Sequence, residues 1–260
     1  MKKKLETRFV LDFVNNDYPY LEEVNEGIVK QVKSTESEAS ILDVGAGRGA
    51  LGAALCALGY EVWAIESNRI AASEVSDKVN QVICADLHDM NKIHECVKNK
   101  KFNYIVFSDV LEHVYDPLHV LRSYLPLLED SGKILISLPN AVNWLNRLRF
   151  MLGMFNYEMT GVMDRTHVRF FTFKSAKKML EAAECKVIKV DSTPFITRAF
   201  LPIIKKILSN KNDMTNVKTI IDSPYYQLYI KYIYPIEYAI TRIMPSLFAF
   251  RIILVCEKNK

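Results

Sequence analysis

The sequence predicts an α/β chain built on a parallel sheet with helices on both faces. Three observations carry that expectation. From residue 40 onward, short β-branched runs alternate with helical stretches, the pattern of repeated strand–helix crossovers. The first run, Ile41-Leu-Asp-Val44, breaks into Gly45-Ala-Gly-Arg-Gly49 and then the small-residue helix Ala50–Leu58. Glycine permits the sharp turn and close ligand approach that such a junction needs. Successive runs also end in an acid, at Asp43, Glu66, Asp86 and Asp109.

The elements follow in order. Residues 1–38 read as one or two helices forming an N-terminal lid, with Leu21–Val32 at helical spacing and a polar linker at 33–39. Strands are expected at Ile41–Val44, Tyr60–Glu66, Val79–Leu87, Phe102–Asp109, Gly132–Leu138 and Lys186–Val190, with Phe248–Cys256 as the last. A helix begins at Phe171-Thr-Phe-Lys-Ser and runs to Cys185. The core domain is therefore 39–191 with 248–260. Two stretches, 139–171 and 192–247, exceed a minimal domain, and loops beyond ~15 residues usually carry structure and function. The second reads as a helical, Tyr-rich cap. Its Tyr225, Tyr229 and Tyr232, with nearby isoleucines, form one helical face. That face either packs on the core or, over residues 225–241, meets a membrane at headgroup level.

A chain of 260 residues, half of them hydrophobic, can bury a substantial core. The net charge of +4 does not argue for nucleic acid. Five scattered cysteines without a C-x-x-C pair imply free thiols in a reducing compartment. The Lys-rich start is not followed by an apolar core, so no signal peptide is expected. No apolar run reaches the ~18 residues that span a bilayer. The expected location is cytoplasmic, with peripheral membrane contact as the alternative.

The glycine turn admits two cofactors. Gly47-Arg-Gly49-Ala-Leu-Gly52 satisfies G-x-G-x-x-G, which permits an NAD(P)-dependent oxidoreductase. Asp43, however, stands two residues before the first glycine, where it would repel a pyrophosphate and suit a cation. S-adenosylmethionine (SAM) carries an ammonium and a sulfonium and no phosphate. The run resembles motif I of the class I SAM-dependent methyltransferases, and the later acids fall where that family places them, over roughly Ser40 to Asp191. The resemblance implies a Rossmann-like, seven-stranded sheet, mostly parallel, with the last strand inserted antiparallel between the fifth and sixth. It also implies that Asp43, Gly45, Ala46, Gly47 and Gly49 hold the methionine part and Glu66 with Ser67 the ribose. Asp86 and Leu87 would then take the adenine, and Ser108 and Asp109 would line the sulfonium side.

Catalysis is expected just beyond. The chain has Ser108-Asp-Val-Leu-Glu-His113 in place of an Asn/Asp-Pro-Pro-Tyr motif, which argues for a hydroxyl acceptor or a more basic amine. Asp109, Glu112 and His113 resemble the E-x-x-E-H pattern of ubiquinone-pathway O-methyltransferases and small-RNA 2′-O-methyltransferases, with Asp for the first Glu. That resemblance implies a divalent metal on Asp109, Glu112, His113 and His167; the shorter Asp109 counts against it. In the metal-free reading His167 or His113 is the general base, since histidine titrates near neutrality unaided, and Glu112 orients it. Arg165 and Arg169 flank His167 and would meet a carboxylate or phosphate on the acceptor, or pair with Asp164. Asp164-Arg-Thr-His-Val-Arg-Phe-Phe-Thr172, with Leu-Pro-Asn140 and Pro245-Ser-Leu-Phe-Ala-Phe250, resembles bacterial small-molecule and glycan O-methyltransferases related to the ubiquinone-pathway type. The expected reaction is O-methylation of a small molecule, saccharide or lipid-linked intermediate. A metal-assisted RNA ribose methyltransferase, the oxidoreductase and a non-catalytic binding module are the alternatives; nucleic acid is disfavoured by the lack of a strong basic groove.

Overall fold

A computed structural model describes residues 23–32, 39–199 and 227–259. The expected first helix before residue 23, the linker at 33–38, the Phe200 stretch and Tyr225 lie outside these. Seven strands, β1 (Ser40–Val44), β2 (Glu61–Glu66), β3 (Gln81–Cys84), β4 (Phe102–Ser108), β5 (Leu128–Pro139), β6 (Cys185–Pro194) and β7 (Ala249–Lys258), form one sheet. Their order is β3-β2-β1-β4-β5-β7-β6. The pairings from β3 to β5 are parallel, and β7 runs antiparallel to both β5 and β6. This is the Rossmann-like, seven-stranded α/β arrangement the sequence implied.

Alternation explains the two cores. In β1, Ile41 packs to one side with Leu51, Leu55, Val62 and Tyr104. Leu42 and Val44 pack to the other with Ile65, Ile105 and Phe107. A strand covered on both faces needs such a continuous apolar run. β3 (Gln81–Cys84) and the helix expected over Phe171–Cys185 (Phe173–Ala182) are shorter than expected, and two strands run well past their expected bounds. β5 starts at Leu128 because the polar run Glu129–Gly132 continues the strand through a register shift opposite Phe102 and Tyr104. β6 runs on to Pro194 because β7 supplies partners as far as Thr193–Arg251 and Pro194–Ala249. As an edge strand, β6 tolerates the proline.

The helices start where short polar side chains accept their free N–H groups. Asn68 caps α3 (Arg69–Ser76), Asp89 caps α4 (Met90–Val97) and Asp116 caps α5 (Pro117–Tyr124). Asn143 caps α6 (Trp144–Met151), and Thr172 with Ser175 forms a capping box on α7 (Phe173–Ala182). The short α1 (Glu26–Val29) precedes the sheet. Among the helices that alternate with the strands, α2 (Ala50–Ala57) is the exception: Gly49 at its N-cap offers no side chain, so no side chain caps its first N–H groups beside the glycine turn. β1 and β4 are neighbours whose crossovers leave in opposite directions, which opens a crevice at their carboxyl ends.

Beyond β6 the described cap comprises a π-helical turn Tyr229–Ile233, α8 (Tyr234–Ile243) and α9 (Pro245–Phe248). Polar bonds dock it. Buried Glu237 accepts from the Thr197 amide at 2.6 Å and from Tyr229 Oη at 2.9 Å. Tyr238 Oη and Gln31 Nε2 both donate to Asp191. Tyr229 thus turns inward while Tyr232 stays exposed, and the wider π turn separates two tyrosines that a regular helix would align. Replacing Thr172 by Ala removes the capping-box acceptor of α7 and should cost about 1 kcal/mol, read as a lower urea midpoint at unchanged slope.

Candidate active site

At the carboxyl edge over β1 and β4 lies a cavity of ≈ 400 Å³. The glycine turn forms its floor. Gly45, Gly47 and Gly49 have φ of +74°, +55° and +77°, the left-handed region where a side chain is strained. A Cβ on Gly45 would come within 2.7 Å of Val110 Cγ2. Both Gly45 and Ala46 amides donate to Ile65 O, which ties the turn to β2.

Two acids grip this turn. Glu66 accepts from the Gly47 amide at 2.8 Å through one oxygen and from the Asn68 amide at 2.8 Å through the other. A carboxylate already on the loop amide would repel a pyrophosphate. Asp43 is buried at the end of β1, and its Oδ2 has no partner. Burial, reinforced by Glu66, pushes its carboxyl up to about 7. An unpartnered acid beneath a loop with no room for Cβ atoms fits a cationic, phosphate-free nucleoside such as SAM. Asp43 would meet its charged end, with Glu66 beside the ribose. Asp86 and Leu87 line the same cavity from the end of β3.

The segment after β4 is pinned from three sides. Asp109 has φ +56° and donates its amide to Ser137 O. Its carboxylate accepts from Ser137 Oγ at 2.5 Å and from Arg251 Nε at 2.7 Å. Arg251 projects from β7; burial opposes its charge, but Asp109 and Glu23 outweigh that and raise its pKa. From α1, the N-cap residue Asn25 donates to Ser108 Oγ at 3.0 Å. Asp109 is therefore occupied and does not join a ligand set. The expected helix from Asp109 is a single 3₁₀ turn, Leu111–His113.

Glu112, His113 and His167 do converge, with one ligand atom from each within 4.8 Å of the others. Segment 164–169 is carried there by amides of Val168 and Arg169 donating to Glu112 O. His167 Nδ1 donates to Val162 O at 3.1 Å and His113 Nδ1 to Thr166 O at 3.2 Å. Each ring therefore keeps an unprotonated Nε2. The rings meet edge-on at 4.8 Å. His167 Nε2 stands 3.9 Å from Glu112 Oε1, and neither carboxyl oxygen of Glu112 has a hydrogen-bond partner. Burial, then Asp109, drives the Glu112 pKa well up. Burial, then His167, brings His113 down to about 4, and burial also lowers His167. Both imidazoles are neutral at physiological pH.

The cavity thus gathers the sequence candidates Asp43, Gly45, Ala46, Gly47, Glu66 and Ser67 with Asp86, Leu87, Ser108, Asp109, Glu112, His113 and His167. Gly49 stays outside the lining and shapes the turn. Arg169 is spent on the Tyr115 carbonyl, and Asp164 accepts from Thr166 rather than from an arginine. The sequence reading missed Arg251, Phe250, Glu23 and Asn25, all lining residues. A lone arginine within the apolar run Phe248–Cys256 was the available signal for the first.

Comparison with known proteins agrees with this fold. A family profile described as a methyltransferase domain matches residues 18–190. A ubiquinone biosynthesis O-methyltransferase of Glaesserella parasuis serovar 5 (strain SH0165) is 30% identical over 106 residues, 38% of this chain and 45% of that protein. The match thus spans under half the length of that relative. A SAM-dependent methyltransferase from Archaeoglobus fulgidus superposes with TM-score 0.59 at 17% identity, covering 97% of this chain and 100% of the other. A Burkholderia thailandensis 1,6-didemethyltoxoflavin-N1-methyltransferase with bound S-adenosylhomocysteine gives TM-score 0.55 at 14% identity, over 97% and 86%.

Two outcomes follow from the site's electrostatics. The folded-state pKa of Asp43 lies above its unfolded value, so the free protein loses stability as pH rises from about 4 to about 7. A ligand ammonium pairs with the ionised form only, so S-adenosylhomocysteine should bind up to ~10-fold tighter per pH unit until about pH 7. Calorimetric titration should show that slope in the wild type and lose it in Asp43→Asn; a flat wild-type profile would count against the assignment. Arg251→Leu strands Asp109 and should cost about 2–3 kcal/mol of unfolding free energy.

Proposed function

The chain belongs to the methyltransferase-domain family and has the class I, SAM-dependent architecture, and from that premise we propose that it methylates a hydroxyl group. The observation that carries the reading is the neutral pair His113–His167, backed by Glu112 and opening on the same cavity as Asp43 and Glu66. SAM, when bound, supplies an electrophilic methyl on a sulfonium. The chain's part is to hold the acceptor in line, exclude water and take one proton. As the new O–CH₃ bond forms and the S–CH₃ bond breaks, the hydroxyl proton passes to Nε2 of His167. Its Nδ1–H bond to Val162 O fixes the tautomer that leaves this nitrogen free. Burial and Asp109 favour the neutral form of Glu112, and a protonated His167 beside it would favour the carboxylate. His113, held by Thr166, packs the ring in place.

The same donors fit a divalent cation, because the unpartnered carboxyl of Glu112 and two backbone-anchored imidazoles form the kind of oriented set that metals use. Glu112, His113 and His167 would hold it, and it would polarise the acceptor hydroxyl. Asp109 would not contribute. The acceptor class is a small molecule, saccharide or lipid-linked hydroxyl. The 30% relative, a ubiquinone biosynthesis O-methyltransferase, supports the oxygen preference. An RNA ribose acceptor draws no support from a cavity rimmed by acids, and the glycine turn argues against a dinucleotide.

His167→Ala should lower turnover by ~10²–10⁴-fold with S-adenosylhomocysteine affinity unchanged. Turnover on a panel of hydroxylated acceptors, with and without a chelator, separates the two forms of the mechanism. Loss on chelation assigns the trio to a metal, and indifference assigns His167 as base. Wild-type turnover in His167→Ala removes the residue from the reaction.

A further inference from the structure

The segment between β5 and α7 brings His167 to the cavity, yet it exposes far more apolar surface than that task requires. Met151 is 81% and Leu152 65% exposed, and Met154, Phe155, Tyr157 and Met159 are about half exposed. These side chains form a connected row. Phe150 stacks on Phe155 at 5.5 Å, and Phe155 meets Tyr157 and Phe170 edge-on. Phe170 in turn packs edge-on against His167, so the row leads from the outer surface to the histidine pair.

A second set of exposed apolar side chains lies on the cap, and polar bonds tie its end to α6. Ile236, Ile240, Ile243 and Met244 point outward at α8, Ile243 being 80% exposed. Arg147 on α6 donates to Ser246 Oγ, just past α8, at 3.2 Å, and Asn140 donates to Ser246 O. Exposed apolar side chains in this number mark an interaction site.

Charge selects the occupant. Residues 144–170 hold Arg147, Arg149, Arg165 and Arg169 against Glu158, which pairs with Arg149 at 2.8 Å, and the buried Asp164, and so remain net positive. Around α8, Lys231 and Arg242 are exposed while Glu237 is buried. A second copy docked face to face would oppose like charges, and residues 200–226 of the chain itself are net basic. Anionic headgroups complement this net positive charge, while Phe, Tyr, Met and Ile suit the adjoining acyl boundary. No helix among the described residues is long and apolar enough to cross a membrane, so contact would be made at the surface. We infer that the two faces form one docking surface for an anionic lipid bilayer. Gly161 and His167, which line the cavity, belong to the segment that makes the contact. The docking stands apart from the reading above. That the acceptor hydroxyl is carried by a lipid rests on it.

Co-sedimentation of the full chain with phosphatidylcholine vesicles, with and without phosphatidylglycerol, tests this. The chain should pellet with the anionic vesicles and remain soluble with neutral ones. Met151→Asp/Leu152→Asp and, separately, Ile236→Asp/Ile243→Asp should each weaken anionic binding at least ~10-fold. An unchanged S-adenosylhomocysteine thermal shift would report the variants folded; Met151→Ser/Leu152→Ser serves if the charged pair does not fold. Absent binding, binding indifferent to phosphatidylglycerol, or binding unmoved by both pairs would overturn the inference. So would a dimer, seen by light scattering, that Met151→Asp/Leu152→Asp splits while vesicles bind neither form. Loss of vesicle binding with retained turnover on soluble acceptors separates this surface from the catalytic trio.

Discussion

The placement of β7 is the constraint on which the rest of the site depends. An antiparallel strand slotted between β5 and β6 sets Arg251 opposite Pro139 and Thr193, at the edge where the parallel strands end. From there its guanidinium reaches Asp109, just past the end of β4. Asp109 sits at positive φ, a conformation that costs energy in any residue with a Cβ. The ion pair, the Ser137 hydroxyl and the Ser137 carbonyl together hold it there. The turn that follows points Glu112 and His113 into the cavity only because Asp109 is fixed in this way.

With that end anchored, the cavity sustains two carboxyls that would not otherwise stay buried without partners. Asp43 lies beneath the glycine turn and Glu112 beside the histidines, and for both burial is the leading cause of a raised pKa. Each is an unmet demand for positive charge. At Asp43 a cationic nucleoside would relieve the demand and a pyrophosphate would worsen it. At Glu112 a proton gained by a neighbouring imidazole, or a cation between the donors, would relieve it. Buried carboxyls left unpartnered in this way are the kind of groups that functional sites retain.

The cofactor half of the site was legible in the sequence because it depends on local order. A strand, a glycine turn and a helix are consecutive, and each acid closes its own strand, so Asp43, Glu66 and Asp86 could be named from position alone. The sheet order and the antiparallel last strand came through resemblance. The acceptor half is assembled from distant segments. Arg251 lies 142 residues from Asp109, and Asn25 lies 83 from Ser108; neither pairing leaves a periodic trace. Glu112 and His113 were found by spacing, but their partner status was not. Only the fold shows that Asp109, at the same spacing, is spoken for by β7. The tyrosine face failed for a local reason, because a π turn replaced the helical period on which it relied.

Where the two long insertions sit follows from the strand directions. In a parallel sheet every loop leaving a carboxyl end gathers on one edge, and that edge is where the switch-point crevice lies. The insertion after β5 leaves from that edge. The one after β6 leaves a strand antiparallel to β7, whose start lies at the same edge beside Pro139 and Pro194. The described ends of both therefore lie at the edge where the cavity opens rather than at the far side of the molecule. The aromatic row from Phe155 to His167 belongs to the first insertion. Its inner end, His167, lines the cavity and its outer end is apolar and exposed, so a partner covering the outer end would sit one ring contact from the proposed base.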